Sequence, residues 1–315
     1  MYQVELPTRQ NVIEAARRIS KLVIETELKQ VRLGGHSLWL KCESLQTGGS
    51  FKLRGASNRL ALLNDSERQA GVVAFSSGNH AQGVAIAARR LGIPATIVMP
   101  SDAPTPKVAG TRAQGAEIVF YDRASEDRIA IARDLAACSG AVVVPSFDDR
   151  HVIAGQGTAG LELLWQCPQP VRRIVCCCGG GGLAAGLALA CPDAEIIVVE
   201  PDGWDDMALS LASGRIEPVG PTPPPTACDA LQTPLVSPLT FEVLKARGST
   251  GVAVSESEVR AAVRYAWHEL DLTVEPGGAA ALAAVLVGKV EVVPGTVVMI
   301  TGGNVDPALH AAWVR

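Results

Sequence analysis

The stretch RRIVCCCGGGGLAAGLALA, residues 172–190, contains the transition that decides the fold. A short apolar run at 174–178 hands over, through Gly179, Gly180, Gly181 and Gly182, to a longer apolar segment of helical character. A run of that length closed by glycine reads as a buried strand. Four glycines between strand and helix let several backbone N–H groups turn toward one anion, and the helix N-terminus adds partial positive charge. The same segment without a ligand is a tight turn. It lacks the lysine of a P-loop, and a G-x-G-x-x-G order exists only inside an uninterrupted run, so nucleotide binding is poorly supported.

Working outward, the same alternation recurs. Short apolar runs at 38–42, 72–75, 95–99, 117–121, 141–144, 195–199 and 296–300 alternate with helical patterns such as 81–91, 124–137, 157–165 and 256–270. The last is preceded by Ser255 with Glu258 three residues on, a capping box. Alternating strands and helices predict an α/β fold with open parallel sheets covered by helices on both faces. Binding groups in such sheets gather at the carboxyl ends of strands. The proline-rich stretch 218–225 reads as an extended connector.

At roughly 150 residues per domain, 315 residues suggest about two domains. Apolar residues make up 48% and charged residues 19%, a core-forming composition. The net charge is −4 and no run of Lys or Arg is long enough to track a phosphate backbone, so nucleic acid is not expected as a partner. The N-terminus lacks a basic region followed by an apolar one, and no long uncharged apolar run occurs. A cytoplasmic protein with no membrane span is expected, with no regulatory module beyond Arg315. The eight cysteines lack zinc-ligand spacing and are expected to be buried, reduced thiols.

Three further segments interrupt the pattern where strands should meet helices. In ESLQTGGSFKLRGASNRL, residues 43–60, Lys52 follows a Gly-Gly-Ser turn and sits between Phe51 and Leu53. Apolar neighbours can lower an amine's pKa, as a Schiff-base lysine requires. The segment also suits a solvated lysine opening an amphipathic helix. FSSGNHAQG, residues 75–83, supplies Ser76, Ser77, Asn79 and His80, which can hold a carboxylate or a ring substituent or simply cap a helix. MITGGNVD, residues 299–306, sets Thr301 at a strand end.

Taken together, the four segments resemble the fold-type-II pyridoxal-phosphate enzymes, the serine/threonine dehydratase and serine racemase family with its 3-hydroxyaspartate dehydratases. The resemblance covers nearly the whole chain, including VIAGQGTAGLELL at 152–164. It implies the two-domain, tryptophan synthase β-like form of the fold. Residues 1–64 with 146–315 would form the large cofactor domain, and 65–145 the small domain that closes over the substrate. Lys52 would carry pyridoxal phosphate as a Schiff base, with Phe51 stacked on the ring and Asn79 bound to the ring hydroxyl. The glycines 179–182 would hold the phosphate, and the Thr301 hydroxyl would contact the pyridine nitrogen. Ser76, Ser77, Asn79 and His80 would line the substrate carboxylate site, with Ser77 a second catalytic proton donor. A neutral hydroxyl at the ring nitrogen favours prompt loss of a β-leaving group over a long-lived carbanion. The implied activity is therefore elimination of water from a β-hydroxy-α-amino acid, giving a 2-oxo acid and ammonia. A serine racemase with elimination as a side reaction is the alternative.

The resemblance extends to VVEPDGWDDM, residues 198–207, where Glu200, the Trp204 carbonyl and Asp206 would bind Mg²⁺ or Ca²⁺; a solvated acidic turn is the other reading. Arg128 aligns with an arginine that can meet the distal carboxylate of a dicarboxylic substrate, although a surface salt bridge is equally consistent. Asp229 matches a position near the substrate in the racemases of this family, where it would orient the β-hydroxyl. A small amino acid is the expected partner, and a homodimer the expected assembly. The family's T-P-L is replaced by Thr26-Glu27-Leu28, the basic residue and threonine before its G-S-F-K by Thr47-Gly48, and the H-P before its D-D is absent from Pro145-Ser146-Phe147-Asp148-Asp149. A nucleotide-binding oxidoreductase or a non-catalytic binder would leave Lys52, Asn79 and Thr301 without a task.

Overall fold

The computed structural model describes residues 5–76, 78–103 and 105–315. These contain ten strands: β1 (Leu28–Leu33), β2 (His36–Cys42), β3 (Val72–Phe75), β4 (Ala95–Pro100), β5 (Glu117–Tyr121), β6 (Val142–Val143), β7 (Arg173–Cys177), β8 (Glu195–Pro201), β9 (Thr250–Val254) and β10 (Thr296–Ile300). They form a six-stranded sheet in the order β1-β2-β10-β7-β8-β9 and a four-stranded sheet in the order β5-β4-β3-β6. Every pair is parallel except β1 with β2.

Both faces of the larger sheet are buried at its central strands, as their apolar sequences predict. Alternation along β7 sends Ile174 and Cys176 into one core, with the helices Arg150–Gln166 and Gly182–Ala190. Val175 and Cys177 enter the opposite core, with the helices Glu256–Leu270 and Pro276–Leu286. The glycines of 152–164 allow close helix packing: a Cβ on Gly157 would lie 2.6 Å from the Gly186 carbonyl oxygen. The smaller sheet is covered by the helices Lys52–Ala61 and Asn79–Leu91 on one side and Arg128–Ser139 on the other.

Several elements differ from expectation. The hairpin strand β1 carries Lys29, Gln30 and Arg32, and β9 is half-exposed along most of its length. Edge strands carry polar and short segments, so neither yields the buried apolar run that identifies a central strand. The helix expected over 124–137 begins at Arg128, because the Asp127 carboxylate accepts from the Ile129 and Ala130 amides. The one expected over 157–165 extends over Arg150–Gln166, capped by Asp149. The capping box at Ser255 and Glu258 forms as predicted. The cysteines are unpaired thiols, but Cys138 is exposed. Among the described residues, no helix is long and apolar enough to cross a membrane.

A buried ionic cluster anchors the helix that begins at Lys52. Arg54, fully buried, donates to both oxygens of Glu43 at 2.8 and 2.7 Å and to Glu162 Oε1 at 2.6 Å. Lys41 joins through the other Glu162 oxygen. Two cations face two carboxylates, so the cluster neutralises itself; removing either cation would strand a buried charge.

Candidate active site

The carboxyl ends of β7 and β10 meet the start of the helix Lys52–Ala61. Ser50 bridges Gly302, and the Phe51 amide donates to the Thr301 carbonyl at 3.3 Å. Phe51, Lys52, Asn79, the glycines 179–182 and Thr301 therefore line one cavity.

The Lys52 ammonium donates to the Ser146 carbonyl at 3.1 Å and lies 5.1 Å from the centre of the Phe51 ring. Withdrawal from water lowers its pKa to about 8, partly offset by the neighbouring Cys177 and Glu275 side chains. An amine in that range is neutral in an appreciable minority of molecules near physiological pH, and that neutral form is the nucleophile and proton acceptor.

The helix Gly182–Ala190 opens at the glycine loop with no side-chain cap, so its first amides remain available to an anion. Gly180 has a second reason to be glycine: a Cβ there would lie 2.3 Å from the Phe147 ring. Ser146 and Phe147, noticed in the sequence only as a departure from the family pattern, thus form part of the wall. Lysine amine, glycine cradle, aromatic ring and neutral hydroxyl together fit pyridoxal phosphate.

Glu275 is the residue that sequence reasoning missed. It is the N-cap of the helix Pro276–Leu286, yet its side chain makes no capping bond. Instead it accepts from Asn79 Nδ2 at 2.5 Å inside the cavity wall. Asn79 Oδ1 accepts in turn from Asn304 at 2.8 Å, and Asn304 also donates to the Gly48 carbonyl at 2.7 Å. Burial raises the Glu275 pKa to about 7, reinforced by the charge of Asp229 and opposed by the Asn79 hydrogen bond. The only signal in the sequence was Glu275-Pro276-Gly277, an acidic residue before a helix-opening proline.

Other expected substrate residues lie outside the cavity lining. Ser76 Oγ accepts from the Gly78 amide at 3.1 Å. His80 Nε2 donates to the Val144 carbonyl at 2.8 Å, and burial, with the nearby Lys52 charge, lowers its pKa to about 3. It is a neutral structural group behind the loop. Arg128 is exposed, its guanidinium 5.8 Å from the centre of the Phe75 ring. Asp229 pairs with Lys107 at 2.7 Å, which engages the carboxylate otherwise expected at a substrate hydroxyl. Ser77 lies outside the described residues.

At the end of β8, Glu200 is fully buried and accepts from the Met207 and Ala208 amides at 3.2 and 2.8 Å. Asp206 is 1% exposed, and neither of its carboxylate oxygens makes a hydrogen bond. Burial raises both pKa values, that of Asp206 to about 7. The Trp204 indole donates to the Pro224 carbonyl at 2.8 Å, fixing the turn between the two acids. Among the described residues no cluster of three or more His, Cys, Asp or Glu side chains gathers. A cation here would thus need backbone carbonyl or water ligands beside the two carboxylates. The unpartnered oxygens of Asp206 fit such an ion.

Comparisons with known proteins show which family the chain belongs to. Residues 19–303 match the family described as pyridoxal-phosphate dependent enzyme. The chain is 41% identical over 321 residues to an L-threo-3-hydroxyaspartate ammonia-lyase from Pseudomonas sp, covering 99% of this chain and 100% of that protein. It is 37% identical to a serine racemase from Schizosaccharomyces pombe, with 98% of each chain covered. The solved structure of maize serine racemase superimposes with a TM-score of 0.91 at 34% identity, covering 98% of this chain and 97% of that one.

Proposed function

The chain belongs to the pyridoxal-phosphate-dependent enzymes, and from that premise we propose that it is an ammonia-lyase eliminating water from a β-hydroxy-α-amino acid, 3-hydroxyaspartate foremost. The observation that carries this proposal is the Lys52 amine, its pKa lowered to about 8, in a cavity shared with the glycine loop and Thr301. The 41% identity to a 3-hydroxyaspartate ammonia-lyase supports the substrate.

Bound pyridoxal phosphate supplies an electron sink for the bonds broken at Cα and Cβ. Lys52 would hold the cofactor, and its Nζ, as a neutral amine, would take the Cα proton. Phe51 would pack against one face of the ring, and the amides of 179–182 would hold the phosphate. Asn79, held by Glu275 and Asn304, orients the ring hydroxyl. Thr301 offers the ring nitrogen a neutral hydroxyl, which favours elimination. Ser77 is the second proton donor, and Ser76 and Asn79 belong to the loop that receives the substrate carboxylate. His80 braces this loop from behind.

Residues 65–145, which hold the four-stranded sheet, act as the smaller domain closing over the substrate, against the larger domain of 1–64 and 146–315. Closure would carry Arg128 toward the distal carboxylate of a dicarboxylic substrate. Asp229, held by Lys107, serves to tie the two parts together. Glu200, the Trp204 carbonyl and Asp206 hold Mg²⁺ or Ca²⁺. The assembly is a homodimer of the cytoplasm, as in the resemblance that motivates it.

Oxo-acid production from serine, threonine and the 3-hydroxyaspartate isomers tests the proposal. Highest kcat/KM on a 3-hydroxyaspartate isomer is expected. Serine inversion outpacing all oxo-acid formation would favour the second reading, a serine racemase, for which the 37% identity to the Schizosaccharomyces pombe enzyme speaks.

A further inference from the structure

The three consecutive cysteines at the end of β7 have different surroundings. Cys176 and Cys178 belong to the core beside the helix Gly182–Ala190, whereas Cys177 points to the other face and lines the cavity. Since β7 and β10 are parallel neighbours, their carboxyl ends lie side by side. Cys177 Sγ is 3.0 Å from Thr301 Oγ1. Cys177 is 6% and Thr301 3% exposed, and among the described residues this is the hydrogen bond that both side chains make.

A hydroxyl has one hydrogen on a freely turning bond and two acceptor positions. If the Thr301 hydroxyl donates to the ring nitrogen of the cofactor, its oxygen is left to accept. The S–H of Cys177 is the donor within reach of that oxygen.

We infer that Cys177 is a positioning residue for the cofactor: its thiol donates to Thr301 Oγ1 and so turns the Thr301 hydrogen out toward the ring nitrogen. This rests on the proposed role of Thr301. Cys177 makes no contact with the reacting atoms in this scheme; it acts by holding the hydroxyl in one orientation. Without the thiol, the hydroxyl can turn its hydrogen elsewhere, and the ring nitrogen loses part of a hydrogen bond. Losing one such bond typically changes an equilibrium by about two- to tenfold.

Three substitutions separate a donor from a space-filling role. Cys177→Ser keeps a donor in less volume, Cys177→Val keeps volume without a donor, and Cys177→Ala removes both. Each variant is reconstituted with pyridoxal phosphate, and the visible absorbance of the bound cofactor and its dissociation constant are measured at one pH. A positioning role orders the variants by donor. Cys177→Ser should keep the wild-type spectrum and affinity, while Cys177→Val and Cys177→Ala share a shifted spectrum and bind the cofactor about two- to tenfold more weakly. An order by volume, with Cys177→Val like wild type and Cys177→Ser impaired, would overturn the inference.

Thr301→Val separates this inference from the reading beneath it. If Thr301→Val leaves both measurements at wild-type values, the role of Thr301 falls, and that of Cys177 with it. If Thr301→Val shifts them while Cys177→Val does not, only the role of Cys177 falls. When both hold, adding Cys177→Val to Thr301→Val should change nothing further, because both act on the same hydrogen bond.

Discussion

Asn79 and Glu275 are joined by a 2.5 Å hydrogen bond between residues 196 positions apart in sequence. The amide comes from the first residue of the helix Asn79–Leu91, which follows β3 of the smaller sheet, and the carboxyl from the start of a helix packed on the larger one. The bond therefore connects the two sheets at the cavity. Burial strips this carboxyl of solvation, which is why its pKa rises to about 7 even though the Asn79 hydrogen bond opposes the rise.

That shift has a sign. Between the ordinary glutamate value of 4.5 and about 7, the folded cofactor-free protein holds a proton at Glu275 that the unfolded chain has released. The Glu275 contribution to stability therefore falls as pH rises through this window, by about 3 kcal/mol at 1.4 kcal/mol per unit. Glu275→Gln cannot ionise and should lose that slope. Urea unfolding of both proteins at about pH 5 and about pH 8 measures the difference. Equal slopes would show that Glu275 is ionised at both.

Lys52→Ala should remove the visible absorbance of bound pyridoxal phosphate and reduce turnover by at least about 10²–10⁴-fold, the usual weight of a positioned proton-transfer group. Among the described residues the amine bonds only to the Ser146 carbonyl, so the melting temperature of the cofactor-free protein should change little. Oxo-acid formation at the wild-type rate by a colourless variant would sink the mechanism.

Arg128 begins the helix Arg128–Ser139 and lies over Phe75, the residue before the Ser76 loop. If closure brings its guanidinium to a distal carboxylate, Arg128→Ala should lower kcat/KM for 3-hydroxyaspartate by about tenfold or more, the effect of unpairing a desolvated charge. Serine has no distal carboxylate and should be nearly unaffected. Equal losses on both substrates would assign Arg128 a purely structural part.

Asp206→Asn tests the cation. In the wild type, a chelator should lower the melting temperature and millimolar Mg²⁺ or Ca²⁺ should restore it, since an ion bound only by the folded state stabilises it by mass action. In Asp206→Asn neither addition should have an effect. A wild-type melting temperature indifferent to chelator and to both ions would remove the proposed site.

The segments that carry chemistry were legible because each is local. A lysine after Gly-Gly-Ser, four glycines between strand and helix, and a threonine ending the last strand are contiguous patterns whose backbone consequences follow from sterics. Glu275, Phe147 and Cys177 were not legible as cavity residues. Each seemed ordinary beside its neighbours: an acid before a helix, an aromatic in a loop, one of three cysteines. The edge strands β1 and β9 escaped notice because their exposure gives them no buried apolar run.

By itself the sequence determined the alternation of strands and helices, the parallel character of the sheets, and the three loops that supply lysine, glycines and hydroxyl. Backbone sterics and hydrophobic period act over a few residues and are written in them. Only the tertiary structure decided which side chains pair in and around that cavity. It gave Asn79 to Glu275, Cys177 to Thr301, and Asp229 to Lys107. Such pairings depend on strand order and on which strand ends lie side by side, and the β7–β10 neighbourhood joins segments more than a hundred residues apart. Burial then set the properties of the groups it enclosed, lowering Lys52 to about 8 and raising Glu275 to about 7, because the cost of a charge depends on what surrounds it.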